Sequence, residues 1–451
     1  MSSAVATKPT FSAEQQRAID AIVTAANAGE SGFHFITGKA GTGKSTILRA
    51  IRHQVRNVVV LSPTGLAALN VHGQTIHSFF GFKPGPLVPN RGRLISGQNV
   101  QVAACASIII IDEVSMVRSD MLSAMDEALR NTLRDDRPFG GKLVVAFGDP
   151  CQLSPVITSE DGLFIQQNFQ SGWFFDALPF ERMSIDKTEL SQVFRQAGDP
   201  AFIDALNGVR LGDPSGLEVF NSRFQPIPEP GVVTLAMTNA RVKAINDIEL
   251  RNLPGESQLY QATITGDCKD HPCDPELELK VGAQVMVAKN IRDDNGELVA
   301  NGSIGTVTRL GLAPMVELRD GRHIRIAQQN WEKTAHTYDA KTKEIDEKVT
   351  GGFIQIPLKL AWAMTIHKSQ GQSMDAAHIE FENHVRNHGQ VYVALSRIRT
   401  LLGMTLSRKL TARDLYVDPR VVRFMSPDHA PAVDFAKAFG QIQMTFEGVF
   451  A

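Results

Sequence analysis

Short apolar runs that end in polar or glycine-rich turns alternate, over the first part of the chain, with stretches whose apolar residues recur at helical spacing. Phe33–Thr37, Val58–Thr64, Ser107–Ile111 and the middle of Lys142–Asp149 are apolar at successive positions, as strands buried on both faces are. Ala18, Ile19, Ile22 and Val23 line one helix, and Met121, Leu122, Met125, Leu129 and Leu133 form the core stripe of another. This alternation predicts an α/β fold with a mainly parallel sheet and helices on both faces. Val232–Asn239 starts the pattern again and Leu360–Gln372 returns to it, and 451 residues are too many for one core, so a second such domain is expected. Two stretches depart from the rule. From Gly81 to Gln101, Pro84, Pro86, Pro89, Gly85, Gly92 and Gly97 forbid a long regular element. Between Ser303 and Leu358 the period falls to two, with Val316 and Leu318, then Ile324 and Ile326, flanking the turn Asp320-Gly321, which reads as several short strands of a small barrel.

The chemistry sits where the strands end. Gly38-Lys39-Ala40-Gly41-Thr42-Gly43-Lys44-Ser45 fits G-x-x-x-x-G-K-[ST] between a strand and a helix. In such a loop backbone N–H groups turn inward on a polyphosphate, Lys44 reaches the β and γ phosphates, and the Ser45 hydroxyl can ligate Mg²⁺. Gly38, Ala40, Gly41, Thr42, Gly43, Lys44, Ser45 and Thr46 are therefore the expected nucleoside-triphosphate cradle. Two uses are open to Gln15: an N3 partner of Ser12 in a capping box, or an amide that reads the adenine edge. Asp112 and Glu113 end a buried strand, the first suited to the Mg²⁺ shell and the second to orienting or deprotonating the attacking water. Gln152, after the strand that ends at Asp149, is a candidate γ-phosphate sensor. Thr75, His77, Ser78 and Phe79 lie in a block that suits either phosphate contact and base stacking or the core. Thr365, His367, Lys368 and Ser369 crowd donors at a strand end, which suits phosphate oxygens of a nucleic-acid strand.

Composition narrows this reading little. The chain is 43% hydrophobic and 21% charged, with net charge −2, so any nucleic-acid surface must be local; eight basic against two acidic residues between Arg386 and Arg423 offer one, or only a solvated face. No apolar run approaches a membrane span, Met1–Pro9 has no signal-peptide order, and four scattered cysteines form no disulfide framework. A cytoplasmic protein with no membrane partner is expected. Cys268, His271 and Cys273 lack a second ligand pair for zinc and read as a polar loop.

In order, Gly38–Ser45, Leu61–Thr64, Gly73–Phe80, Asp112-Glu113 and Gly148–Val156 resemble the motifs of superfamily-one helicases. Glu113-Val114-Ser115-Met116 with Pro138-Phe139-Gly140-Gly141 is similar to the Pif-type (petite integration frequency) DNA helicases, with RecD-like helicases next nearest. Pro150, Cys151 and Ser154 stand where members commonly carry aromatic residues and a second proline. The resemblance implies two RecA-like motor domains, at 1–180 and at 181–302 with 359–425, an SH3-like insertion at 303–358, and a tail at 426–451. It implies that Arg195 and Arg397 act as arginine fingers from the second domain, and that Thr64 and Asn239 join the DNA-binding set. It further implies an ATP- and Mg²⁺-dependent DNA helicase, a monomer moving 5′-to-3′ on single-stranded DNA and opening forked DNA in replication, recombination or repair. A RecD-like translocase subunit and a non-unwinding ATPase switch are the alternatives. The insertion at 81–101 is expected either to part the duplex, with Leu87, Val88, Leu94 and Ile95 as its apolar surface and Arg91 and Arg93 holding the excluded strand, or to be a passive loop. Phe435, Phe439, Ile442 and Phe446 give the tail one apolar face, for docking on the body or on a partner.

Overall fold

The structure, a computed structural model, describes residues 11–426 except 197, 198, 267, 269, 270, 384 and 386. The tail with Phe435, Phe439, Ile442 and Phe446 lies outside the described residues.

The first parallel sheet grows from the apolar runs. In chain order come α1 (Ala13–Ala28), β1 (Gly32–Gly38), α2 (Lys44–Gln54), β2 (Val58–Ser62), α3 (Gly65–Asn70), β3 (Gln74–Thr75), α4 (Ile76–Phe80), α5 (Asn99–Cys105), β4 (Ile108–Ile111), α6 (Ser119–Leu133), β5 (Leu143–Gly148), α7 (Ser159–Asn168) and β6 (Asp186–Leu190). The six strands lie in the order β3-β2-β4-β5-β1-β6, all parallel. Every residue of β4 and β5 is buried, because helices cover both faces. Ile19, Ile22, Ile47, Leu48 and Ile51 of α1 and α2 pack with Ile36, Val60, Ile110 and Val145 on one face. The domain edge expected at residue 180 falls short of β6, which pairs with β1 and brings Leu190 into this core.

The second half follows with α8 (Pro200–Arg210), α9 (Leu217–Asn221), β7 (Val233–Ala236) and α10 (Asn239–Asn252). Short antiparallel strands come next: β8 (Gln258–Gln261), β9 (Thr263–Gly266), β10 (Glu276–Leu279), β11 (Gln284–Val287), β12 (Ile291–Arg292), β13 (Leu298–Val299), β14 (Ile304–Arg309), β15 (Met315–Leu318) and β16 (His323–Arg325). Then come the long hairpin β17 (Gln329–Asp339) and β18 (Glu344–Gln355), β19 (Leu358–Leu360), β20 (Ala363–Thr365), β21 (Ala377–Glu380), α11 (Gln390–Leu395) and β22 (Met404–Leu406). β20-β7-β21-β22 form a second parallel sheet. Asp418 begins a separate compact unit whose described part is α12 (Pro419–Met425), capped by the Asp418 carboxylate.

The antiparallel region differs from the expected barrel at 303–358. Its sheet has the order β16-β15-β14-β11-β19, and β11, before residue 303, pairs with both β14 and β19. The Asp320-Gly321 turn joins β15 to β16 as expected, with Gly321 at φ 83°. β17 and β18, however, leave this sheet and pair with each other, β18 also pairing with β9, and the hairpin reaches the open edge of the first sheet. There β3 covers only Leu61 and Ser62, and the buried His336 imidazole of β17 lies 3.1 Å from Val60 N and 3.2 Å from Val60 O. Gln74 Oε1 accepts from His336 N, Asn57 Oδ1 accepts from Ile345 N, and Arg52 pairs with Glu347. A polar side chain thus satisfies strand groups that would otherwise form an unpaired buried edge.

Cys268 and Cys273 also depart from expectation. They are buried with Trp331 and Phe353 in a small apolar cluster, and burial pushes the Cys273 thiol up to about 12. His271 Nε2 lies 3.1 Å from the Cys268 carbonyl oxygen. Among the described residues no helix is long and apolar enough to cross a membrane.

Candidate active site and strand-contact surface

The loop from β1 to α2 is wound around its own lysine. Lys44 Nζ donates to the carbonyls of Gly38 at 2.6 Å and Lys39 at 3.3 Å. Burial lowers its pKa, while Asp149 and Glu113 oppose the shift. Gly41, at φ 85°, lies so close to the crossing segment that a Cβ there would stand 2.6 Å from Arg195 Cβ. Of the two possibilities for Gln15, the capping box is present. Gln15 Oε1 accepts from Ser12 N in a complete capping box and its Nε2 donates to Thr42 O at 3.0 Å, so in this structure the buried amide braces the loop.

Asp112 and Glu113 end β4 beside this loop. Glu113 stands in the left-handed region at φ 51°, a costly conformation for a residue with a Cβ, and one found where a side chain must be aimed. Burial pushes the Asp112 carboxyl up to about 7, reinforced by the Glu113 charge. Burial raises Glu113 too, against the pull of Lys44 and Arg397. Two carboxylates that resist ionising together form a site whose charge a divalent cation relieves, and a hard oxygen donor set of this kind suits Mg²⁺. Asp112 with the exposed Ser45 hydroxyl fits that group.

The second half completes the cleft. The segment after β6 bonds Phe194 N to Gly41 O at 3.0 Å and turns Arg195 Nη1 to Ser396 O at 3.1 Å. Arg397 is 1% exposed, its guanidinium donating to Val393 O and Ser396 Oγ, and burial with the neighbouring Arg195 pushes it down to about 9. Two guanidiniums held near one another without a carboxylate as a first partner make a strongly anion-seeking pocket. Tyr392 Oη accepts from Ala40 N at 3.0 Å, and His388 Nε2 lies 2.7 Å from Pro150 O. Gln152, buried, donates to Asp149 Oδ2, and Gln370 Nε2 lies 3.4 Å from both Gln152 Oε1 and Glu113 Oε2.

Lys44, Glu113, Gln152, Arg195 and Arg397 are thus collected about one loop. Sequence reasoning passed over Gln370, Asp149, Tyr392 and Arg210. Gln370 and Tyr392 lie inside blocks that were singled out, whereas nothing around Arg210 in the chain signals its use.

The strand-contact candidates divide. Thr64 and Thr75 cap α3 and α4, their hydroxyls accepting from Ala67 N and Ser78 N, with Thr64 exposed and Thr75 half-buried. Ser78, Asn239, His367 and Lys368 are exposed, and His77 is half-buried with its pKa lowered by burial. Phe79 is a correction: it is 1% exposed, packed on Phe80 at 5.1 Å, because α4 turns its apolar face inward, so it offers no base a platform. Ser369 is also corrected, being fully buried with Oγ bonded to Ile366 O, and Thr365 is 4% exposed with its hydroxyl accepting from Lys368 N. These hydroxyls shape the loop that presents His367 and Lys368.

The 81–101 insertion is tied down along α6. Leu87 N donates to Asp120, Gly92 N and Arg93 N donate to Glu127 Oε1, and Ile95 N donates to Thr132 Oγ1. Arg93 is spent on Glu127 at 2.7 Å, and Leu87 and Ile95 are buried, so the surface expected of them is lost. Leu94, 61% exposed, and Arg91 remain exposed on the insertion.

Two parallel-sheet halves meeting at a phosphate loop, with arginines from one half facing carboxylates of the other, define a P-loop protein of RecA-like architecture. Residues 10–200 match the model of the PIF1-like helicase family, and residues 270–310 match that of the DNA helicase Pif1 2B domain. The chain is 31% identical over 436 residues to the ATP-dependent DNA helicase PIF1 of Xenopus laevis, covering 92% of this chain and 62% of that protein. It is similar to Pif1 of Bacteroides sp in complex with ADP-AlF4 (TM-score 0.83, 33% identity, 92% of this chain and 96% of that one). It is likewise similar to Bacteroides Pif1 bound to ssDNA (TM-score 0.65, 34% identity, with the same coverages). The chain belongs to the PIF1-like helicase family. It spans about three-fifths of the length of the curated relatives it matches.

Proposed function

We propose that this chain is an ATP-dependent DNA helicase that moves 5′-to-3′ on single-stranded DNA and opens forked DNA, acting as a monomer in replication, recombination or repair. One observation carries the reading: the amide of Gln370, in the loop that exposes His367 and Lys368, lies within hydrogen-bond reach of Glu113. The strand-contact loop and the water-activating carboxylate are therefore one connected structure. Relatives named as ATP-dependent DNA helicases, and neighbours solved with ADP-AlF4 and with ssDNA, support it.

In this reading the loop 38–45 cradles ATP, Lys44 leaves its backbone carbonyls for the β and γ phosphates, and Glu113 orients the attacking water. Ser45 and Asp112 would hold Mg²⁺, which would supply charge neutralisation at the phosphates. Gln152 reads the γ-phosphate, and Arg195 and Arg397 meet the charge that develops on transfer, so hydrolysis depends on contact between the halves. Thr64, Thr75, His77, Ser78, Asn239, His367 and Lys368 track the strand, and the exposed Leu94 of the insertion parts the duplex. The motor halves follow the two parallel sheets, with the antiparallel region inserted in the second. Four cysteines that form no disulfide framework suit a reducing, cytoplasmic setting.

The test is ATP hydrolysis with and without single-stranded DNA, followed by unwinding of duplexes carrying a 5′ or a 3′ tail. Stimulation by DNA with unwinding of the 5′-tailed duplex is expected. Hydrolysis indifferent to DNA, or unwinding from the 3′ tail alone, overturns the reading.

A further inference from the structure

Arg210 is the last residue of α8, whose Phe202, Ala205, Leu206 and Val209 pack in the core of the second sheet. Its guanidinium leaves that core and enters the carboxyl end of the first sheet. Nη2 donates to Asp149 Oδ1 at 3.0 Å, with the two side chains 4% and 0% exposed, and Nη1 lies 3.4 Å from Glu189. The same Asp149 carboxylate receives Cys151 N through Oδ1 at 3.2 Å and Gln152 Nε2 through Oδ2 at 3.1 Å. The turn that presents Gln152 is thus wound around a carboxylate whose charge is secured from the other half of the molecule. Burial alone would push Asp149 toward its neutral form, but Arg210 and Lys44 outweigh it and hold the carboxyl below its ordinary range.

We propose that Arg210 is a positioning residue for ATP hydrolysis: through Asp149 it sets the Gln152 amide at the cleft, so that Gln152 is aligned only while α8 is docked against the first sheet. This deepens the helicase reading above and rests on it. A planar fork is needed, since one guanidinium spans Asp149 and Glu189 while the Asp149 carboxylate keeps an oxygen for Gln152. An ammonium has the charge without the fork. Arg210 touches the reacting groups only through Asp149, which distinguishes it from Arg195 and Arg397.

The experiment measures kcat and KM for ATP with saturating single-stranded DNA in the full chain, beside thermal melting. Arg210→Met is expected to lower kcat by about tenfold or more while KM for ATP moves little, with Arg210→Lys intermediate. Because Arg210 acts through Gln152, the double variant Arg210→Met/Gln152→Ala should be no slower than Gln152→Ala alone. Multiplied losses in the double variant, or a wild-type kcat in Arg210→Met, overturn the proposal. A lone buried carboxylate can also weaken the fold, so Arg210→Met/Asp149→Asn, which removes both charges, is measured as well. Restored melting with kcat still low is the expected result; restored melting together with restored kcat shows the pair to be structural only and overturns the proposal. A wild-type chain without DNA-stimulated hydrolysis tells instead against the helicase reading itself.

Discussion

The side-chain amide of Gln370 lies 3.4 Å from the carboxylate of Glu113, although the two residues are 257 positions apart and follow strands of different sheets. A shift of the Thr365–Gly371 loop therefore changes what Glu113 is bonded to. Gln370→Ala is expected to reduce the factor by which single-stranded DNA stimulates ATP hydrolysis several-fold, with DNA affinity close to wild type. Fluorescence anisotropy and steady-state ATPase assays check both halves of that statement. An unchanged stimulation factor counts against coupling through this bond.

Lys44→Ala and Glu113→Gln separate charge positioning from water activation. The first should remove hydrolysis by at least about 10²-fold, as losses of positioned donors to developing charge do. The second should keep ATP and DNA binding while hydrolysis falls by about 10² to 10⁴, since an amide cannot accept the proton. Rapid turnover by Glu113→Gln would point to another base.

Lys368 is exposed on the strand-contact loop. If its ammonium pairs with a DNA phosphate, Lys368→Ala should lower the slope of log affinity against log salt by about one. A slope equal to that of the wild type removes Lys368 from the interface.

His336 joins the long hairpin to the edge of the first sheet, and its pKa is lowered from the ordinary 6.5, first by burial, with Arg52 assisting while the Val60 hydrogen bond and Glu347 oppose. The neutral imidazole is the form that the docked state favours. A depressed histidine contributes stability above the unfolded value, and that contribution fades as pH falls below about 6.5, because the freed side chain takes up the proton. Acid should therefore loosen the hairpin. Hydrogen exchange at the Val60 amide, corrected for intrinsic rate, is expected to be faster at pH 5.5 than at 7.5, and the difference should vanish in His336→Gln. Equal protection at both pH values tells against the titration.

Leu94→Ser tests the exposed apolar side chain of the α6-anchored insertion without changing its anchoring side chains. Unwinding of a 5′-tailed fork should fall several-fold while single-strand-stimulated hydrolysis is kept. Loss of both in proportion would assign Leu94 to general motor function.

What the sequence determined by itself was local. The phosphate loop between β1 and α2, the buried strand that delivers Asp112 and Glu113, the hairpin at Asp320-Gly321 and the Ser12–Gln15 capping box all follow from residue types at fixed short spacing, because backbone preference and apolar periodicity act over a few residues. Burial was harder to read. Phe79 and Ser369 sit in blocks rich in interaction chemistry, and only the packing of α4 and the loop after β20 turned them inward. Residue 303 gave no hint that β11 was already in the antiparallel sheet, since edge pairing is chosen by which strand arrives, not by local pattern. The longest reaches were decided by tertiary structure alone. Arg210 meets Asp149 across 61 positions, His336 meets Val60 across 276, and Gln370 meets Glu113 across 257. A buried charge or polar edge must find a partner, but the chain specifies which one only after two sheets have brought their ends together and excluded the water that would otherwise serve.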